Sequence, residues 1–437
     1  MKYLLIISAA IFLLIKGSFC RFGPKKLYTL ELPTNIVSVK VINNQLYFIG
    51  SYYIGVIDNA HWKFRAKRRM TPRLVNSDIP NPRAIGKIPA RTFSGGNGRV
   101  NYWVASWGTN TTDGAISVMQ RTSVYSTVVG ISLDSGWNYE HTQWVDMDFD
   151  GLKDCLTARY RGGGTVGQML WFKQPPGQTL WGQKIIHEGL ADGNFMGFMY
   201  DRKNYILVAG NQFNSLGLYW TLNRRNNWSI SRQIRQRILD NYGRYYDVQY
   251  IDLNKDGRKD VLTTTVQIEN SRGQVLGYEI PRDIQNAEWT RRVLAAGFSG
   301  DYSPGQARAF WPNKRKQRNE RPSIFLSGGG GGEIFILTPV PKSRGWGYVK
   351  SSLPVGAGVV GVPFVGDLDN DKYPEVIVPQ ENKVHVYSYD YSASAAAPPR
   401  RETPARAIVR PVVPYRNPYA RGTRPPPTLL YRQINPL

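Results

Sequence analysis

Short apolar runs recur along this chain between polar and glycine-containing stretches: YFIG at 47–50, YWVAS at 102–106, CLTA at 155–158, YILVAG at 205–210, VLTTT at 261–265, IFLSG at 324–328 and VIVP at 376–379. Their starts lie 55, 53, 50, 56, 63 and 52 residues apart. A second run follows most of the first ones after a turn rich in Gly or Asn: GAISVMQ at 114–120, GQMLWF at 167–172, GLYWTL at 217–222, GQVLGYEI at 273–280, GEIFIL at 332–337 and NKVHVYSY at 382–389. Several alternate apolar and polar residues, the period of strands whose two faces see different surroundings. Aromatic and basic segments then follow, at Trp62–Arg69, Trp181–Ile186, Trp228–Ile234 and Trp289–Val293, and are placed as outer strands. The stretch from Trp220 to Asp240 admits one helix.

One such unit alone leaves an apolar face in water, whereas radial stacking of about seven buries each face against its neighbours and protects the edges. The pattern therefore predicts an all-β chain, a seven-bladed β-propeller over residues 25–392. LYTLEL at 27–32 or residues 405–410 would supply the strand that closes the ring. Six or eight blades stay open, as does an irregular two-sheet arrangement.

Both ends depart from the repeat. Residues 1–20 run from Lys2 through an apolar stretch, Leu4 to Ile15, to Lys16, Gly17 and Ser18. That order is that of a secretory signal cleaved near Cys20, and the apolar stretch is too short to span a bilayer comfortably. The mature chain is thus expected to be secreted and extracellular, with no stable transmembrane anchor. Cys155 is then the one cysteine certain to survive, which excludes a disulfide scaffold and points to a buried structural thiol. Residues 393–437 hold eight Arg, one Glu and ten Pro, the composition of a flexible basic tail.

Three acidic turns carry the sharpest chemistry. The first is Asp146-Met-Asp148-Phe-Asp150-Gly151-Leu152-Lys-Asp154, directly before CLTA, and the second is Asp252-Leu-Asn254-Lys-Asp256-Gly257-Arg258-Lys-Asp260, directly before VLTTT. Both place side-chain oxygens at positions one, three, five and nine. Gly at position six permits the sharp turn that gathers them, and the carbonyl of Leu152 or Arg258 adds a donor at position seven. The third is Asp367-Leu-Asp369-Asn370-Asp371-Lys372-Tyr373-Pro374-Glu375, with Tyr373 at position seven and Lys372 in place of the glycine. Oxygen-only donors favour calcium over zinc. None is a complete EF hand, because no Glu stands at position twelve and the following segments read as strands.

On these turns and their following strands the chain resembles the integrin-alpha-like FG-GAP and VCBS repeat families. The resemblance implies calcium between strands of a propeller blade and a role in extracellular recognition. No integrin insertion domain, cytoplasmic tail or membrane helix accompanies it, and the turn at Asp201-Arg-Lys-Asn204 lacks the full ligand set.

Lys and Arg exceed Asp and Glu by 24. Such a field attracts polyanions. With a secretory start it directs attention to sulfated glycans or an acidic extracellular matrix component rather than nucleic acid, and leaves room for a protein partner. Lys63, Arg65, Lys67, Arg68 and Arg69 form one basic run; Lys314, Arg315, Lys316, Arg318 and Arg321 form another; Arg224, Arg225, Arg232, Arg235 and Arg237 form a dispersed third. Trp62, Trp228 and Trp311 offer apolar platforms beside them. Asn110-Thr-Thr112 and Asn227-Trp-Ser229 fit N-glycosylation acceptors. GGGGG at 328–332 lacks the Lys and hydroxyl of a phosphate-binding loop and is expected to be a flexible blade turn. The four His show no metal-ligand spacing. No catalytic set can be assigned, so the composition points to a secreted calcium-binding scaffold or adhesion protein, with a calcium-dependent polysaccharide lyase as the enzymatic alternative.

Overall fold

The structure, a computed structural model, describes residues 23–390 apart from 67–69, 91, 93–100, 109–113, 121–127, 132–135, 162–165, 176–180, 190, 223–226, 269–272, 318 and 341–344. The signal segment 1–20, the tail 393–437 and Asn110 lie outside the described residues, as do Lys67, Arg68, Arg69, Arg224, Arg225 and Arg318.

Seven four-stranded antiparallel sheets form the seven blades of a β-propeller. Blade 1 contains β2 (Ile36–Ile42), β3 (Gln45–Gly50), β4 (Tyr53–Ile57) and β5 (Arg73–Asn76); blade 2 contains β6 (Pro82–Lys87), β7 (Asn101–Ser106), β8 (Ile116–Gln120) and β9 (Val128–Gly130). Blade 3 contains β10 (Asn138–Val145), β11 (Asp154–Arg161), β12 (Val166–Lys173) and β13 (Gly182–Glu188); blade 4 contains β14 (Phe195–Tyr200), β15 (Lys203–Gly210), β16 (Ser215–Thr221) and β17 (Ile234–Asp240). Blade 5 contains β18 (Tyr245–Ile251), β19 (Asp260–Thr265), β20 (Gln274–Glu279) and β21 (Thr290–Ala295); blade 6 contains β22 (Ala307–Phe310), β23 (Ser323–Leu326), β24 (Glu333–Pro339) and β25 (Tyr348–Pro354). Blade 7 takes β26 (Phe364–Gly366), β27 (Glu375–Gln380) and β28 (Lys383–Ser388) from the end of the ring and its fourth strand, β1 (Lys25–Glu31), from the beginning. LYTLEL is thus the closing segment, and the alternative at 405–410 is overturned because β1 already occupies the free edge of β28.

The seven buried apolar clusters fall one into each gap between adjacent blades. The apolar runs noticed along the chain are the second and third strands, whose alternate residues point into the two flanking gaps. Phe48 of β3, for example, packs toward blade 7 while Tyr47 packs toward blade 2. At roughly 1.5–3 kcal/mol for each large side chain taken out of water, these gaps hold the ring together.

The first strand of every blade touches the first strand of the next, so β2, β6, β10, β14, β18, β22 and β26 line the axis. Neighbouring inner strands are clasped by a repeated glutamine. Gln143 and Gln249 stand at the same place, three residues before Asp146 and Asp252. The Oε1 of Gln143 accepts from Gly197 N at 2.8 Å, and that of Gln249 accepts from Ala309 N at 3.2 Å while its amide donates to the Ala307 carbonyl.

Three local expectations are corrected. The described part of the segment from Trp62 is not an outer strand: Ala60–Arg65 is a short helix, α1, whose Ala60 and Phe64 pack into the gap between blades 7 and 1, and β5 follows later. Trp228–Ile234 precedes its strand, because Trp228 is drawn into the gap between blades 3 and 4 and β17 begins only at Ile234. The helix admitted within 220–240 is a single 3-10 turn, Ser231–Gln233, since Ile234 onward pairs with β16. GGGGG forms the expected turn between β23 and β24, and it is close-packed at Gly328, which has φ 86° and where a Cβ would lie 1.6 Å from the Glu333 carbonyl oxygen.

Candidate metal centres in the acidic blade loops

Each acidic turn joins the innermost strand of a blade to its second strand: β10 to β11, β18 to β19 and β26 to β27. The blades share one strand order, so all three turns open on the same face of the ring, in blades 3, 5 and 7. Blades 1 and 4 use short turns at the same place, built on Asn43 and Asn44 and on Asp201 and Arg202, all four with positive φ and no room for a ligand set.

The three loops repeat one backbone path. Positions four and six are left-handed in each: Phe149 at φ 64° and Gly151 at 87°, Lys255 at 67° and Gly257 at 86°, Asn370 at 63° and Lys372 at 82°. Position one caps the turn. Asp146 accepts from Phe149 N at 2.7 Å and Gly151 N at 3.0 Å; Asp252 accepts from Lys255 N at 2.7 Å and Gly257 N at 3.1 Å; Asp367 accepts from Lys372 N at 3.2 Å. Position five accepts from the amide of position seven, so Leu152, Arg258 and Tyr373 donate to Asp150, Asp256 and Asp371 at 2.9, 2.8 and 2.7 Å. Position three repeats the pattern in two loops, where Asn254 and Asp369 accept from Asp256 N and Asp371 N.

Position nine is the anchor. Asp154, Asp260 and Glu375 are buried, and each accepts the amide of position two, from Met147, Leu253 and Leu368 at 2.8, 2.9 and 2.8 Å. Asp154 also accepts from Gln174 N at 2.9 Å, and Glu375 from Ser388 Oγ at 3.0 Å. Burial first, and the neighbouring carboxylates second, push these acids up despite the amide bonds: Asp154 to about 6, Asp260 to about 7 and Glu375 to about 8. Burial and Asp371 likewise raise Asp369 to about 6.

The loops differ in what they gather. Asp146, Asp148 and Asp154 offer oxygens within 4.8 Å of one another, and so do Asp367, Asp369 and Asp371. The second loop has Asn254 in place of one carboxylate and forms no such triad among the described residues. Two buried carboxylate oxygens, Asp148 Oδ1 and Asp367 Oδ1, have no hydrogen-bond partner. The Asp367 side chain is only 1% exposed. A buried carboxylate oxygen with no partner is costly unless a cation or donor meets it. The residues present therefore fit a hard divalent cation.

Ammonium groups approach the two triads from outside. Lys173 binds Asp148 and, at 2.6 Å, Asp150; Lys314 binds Asp367 at 3.1 Å. Asp150 is thereby turned toward Lys173. Asn227 also braces the first loop, its Nδ2 donating to the Asp148 carbonyl at 3.0 Å, while Trp228 N donates to Met147 O at 2.9 Å. Nδ2 is the atom an N-linked sugar would occupy, so the Asn227 acceptor motif serves here as a clamp. Nothing in the sequence around Asn227 or Lys173 marked either as a neighbour of a loop dozens of residues away.

Lys372 holds a conformation that glycine holds in the sister loops. A non-glycine residue there costs roughly 1–2 kcal/mol. Lys372→Gly is expected to raise the melting temperature by a few degrees, which thermal melts of the two proteins check.

The basic runs are only partly free to meet a ligand. Arg321 is buried, donating to the carbonyls of Gly345, Val340 at 3.1 Å and Gly347 at 2.9 Å, so it supports blade 6. Arg237 donates to the Gln285 and Ala287 carbonyls at 2.7 Å each. Arg65 and Arg315 remain at the surface. A cleft of about 530 Å³ opens beside the first loop, lined by Lys87, Trp103, Trp144, Asp146, Phe198 and Trp228. His385 sits between Thr29 Oγ1 and Gln380 Oε1 at 3.2 and 3.0 Å, and the His141 ring between Trp103 and Phe195, so neither joins a metal set. Cys155 is a free, buried thiol whose pKa burial holds far up, as a structural role requires.

No family model and no curated protein matches the chain. Among solved structures, one described as "Structure of Dos1 propeller" is similar over 82% of this chain and 78% of that chain, at 10% identity and a TM-score of 0.46.

Proposed function

We propose that this protein is a secreted binding propeller, not an enzyme, whose loops in blades 3, 5 and 7 hold calcium and whose basic surface recognises an acidic extracellular matrix component or sulfated glycan. The observation that carries the cation reading is the pair of orphaned, buried carboxylate oxygens, Asp148 Oδ1 and Asp367 Oδ1, inside loops of one repeated geometry. The donors are carboxylate, amide and carbonyl oxygens, with Leu152, Arg258 and Tyr373 supplying carbonyls, which suits calcium's need for six to eight oxygens, water included. Calcium bound there ties the inner strand of a blade to its second strand and removes the repulsion among the clustered carboxylates.

The cleft beside the first loop supports ligand recognition. Its wall sets apolar rings of Trp103, Trp144, Phe198 and Trp228 next to Lys87 and the loop acid Asp146, a combination that suits the apolar face and acidic groups of a saccharide. The net excess of 24 positive charges brings polyanions to the surface.

The test is binding of the secreted protein to acidic glycans and matrix preparations, with calcium or chelator present and products monitored. Saturable, calcium-sensitive binding without turnover is expected. Appearance of unsaturated or shortened sugar products would replace the scaffold reading with a polysaccharide lyase, and no binding to any polyanion would remove the recognition role.

A further inference from the structure

Two lysines reach the acidic loops from other parts of the chain, and they do so selectively. At positions one, three, five and nine the first and third loops carry four carboxylates each, and the second carries three, with Asn254 at its position three. The first loop receives Lys173 and the third Lys314, whereas among the described residues no ammonium from outside the second loop pairs with its acids. The extra carboxylate and the extra ammonium therefore go together.

Strand pairing carries Lys173 to its place. It ends β12, which runs beside β11, and the next residue, Gln174, donates its amide to Asp154 Oδ1 at 2.9 Å. From there the ammonium binds Asp148 Oδ2 and, at 2.6 Å, Asp150 Oδ2, the donors at positions three and five. Lys314 is docked by its own amide, which donates to the Lys372 carbonyl at 3.0 Å, and its ammonium meets Asp367 Oδ2 at 3.1 Å. Each contact leaves its carboxylate half served: Asp148 and Asp367 give one oxygen to a lysine and keep the other, Oδ1, buried without a partner. An ammonium is one charge with three donors, far short of a cation that gathers six to eight oxygens.

Lys173 also changes the donor set. In the third loop the acid at position five, Asp371, stands in one close group with Asp367 and Asp369. In the first loop the close group is Asp146, Asp148 and Asp154; Asp150 at position five is absent from it and is the acid that Lys173 holds. A cation that takes the full set must draw Asp148 and Asp150 away from Lys173, because two positive charges on the same carboxylates repel at close range.

We propose that Lys173 is a tethered counter-ion that competes with calcium for the first loop: it neutralises Asp148 and Asp150 when no cation is bound and is released when one enters. Lys314 acts in the same way on Asp367, more weakly because it holds a single carboxylate and is half exposed. The inference rests on the calcium reading above and adds what sets the affinity of the site.

The experiment titrates calcium chloride by calorimetry, at low ionic strength, into the full secreted chain carrying Asn254→Ala and Asp369→Ala, so that the first loop alone reports. Lys173→Gln, Lys173→Arg and Lys153→Gln are added to this background in turn. Lys153 is an exposed lysine of the same loop with no ion pair among the described residues, so its removal gauges charge without contact. Calcium is expected to bind about tenfold or more tightly in Lys173→Gln, and within about threefold of the background protein in Lys173→Arg and Lys153→Gln. Without calcium, Lys173→Gln is expected to melt below the background protein, and saturating calcium is expected to close that gap. Release is read directly on the wild-type chain, independently of any variant's folding: labelling of Lys173 by acetic anhydride, followed by peptide mass spectrometry, is expected to rise on calcium addition while that of Lys153 stays level. Equal or weaker calcium binding in Lys173→Gln, or unchanged Lys173 labelling in a protein that takes up calcium, overturns the competition and leaves the calcium reading standing. Uptake by Lys173→Gln but not by the background protein upholds the competition and removes calcium from the natural first loop. No uptake by any of these proteins overturns both.

Discussion

Breaking the pairing of β1 with β28 is expected to unfold the propeller at a temperature at least about 15 °C below wild type. β1 is the only part of blade 7 that comes from the start of the described chain, and it pairs with β28 from Lys25↔Ser388 to Glu31↔Lys383. Leu27, Tyr28, Leu30 and the buried Leu32 pack into the gap between blades 7 and 1. Its loss would strip several large apolar side chains from that gap at roughly 1.5–3 kcal/mol each and expose the edge of β28 to pairing with other chains. Leu30→Pro removes a ladder donor in the middle of β1, opposite Val384, without changing the chain's length or charge. Deletion of residues 393–437 serves as the contrast and is expected to leave the melting temperature within a degree or so of wild type. A Leu30→Pro protein that melts like wild type would show that the ring does not depend on this closure.

The second large effect is expected from calcium. Each site held at a hundredfold excess over its Kd adds about 2.7 kcal/mol to the folded state. With about 2 °C for each kcal/mol in a domain of this size, two or three sites together shift the melting temperature by about 10 °C or more. Chelation should therefore lower the melting temperature by that amount, and readdition of calcium should restore it. The combined variant Asp148→Ala, Asn254→Ala and Asp369→Ala should melt at one temperature with or without calcium. These side chains are position-three donors, whereas the position-nine acids Asp154, Asp260 and Glu375 hold backbone amides even without a metal. Substituting position three thus tests the cation, and substituting position nine would test the fold. An equal melting temperature for wild type in calcium and in chelator would rule out the stabilising role. The first and third loops, with three carboxylates each in reach, should contribute more than the second, where Asn254 removes one charge.

The amino-acid sequence on its own determined the strands that are apolar on both faces, because β3, β7, β11, β15, β19, β23 and β27 face a packed gap on either side and so stand out as unbroken apolar runs. Their even spacing carried the propeller architecture and the count of blades. The acidic turns were legible for a local reason: a ligand set that spans nine residues is written in nine residues, and each of the three forms the same turn. The innermost strands were not legible. β10, with Glu140, His141, Thr142 and Gln143, and β22, with Arg308, mix polar and apolar residues because one side of each meets the axis and the other a neighbouring blade. Tertiary structure alone decided what required distant segments to meet: that β1 closes on β28, that Trp228 is a core residue and not the start of a strand, that Asn227 and Lys173 attend the first loop, and that Arg321 supports a blade. Periodicity reports the surroundings of a residue through its immediate neighbours in the chain, and it carries no information about which other segment provides those surroundings.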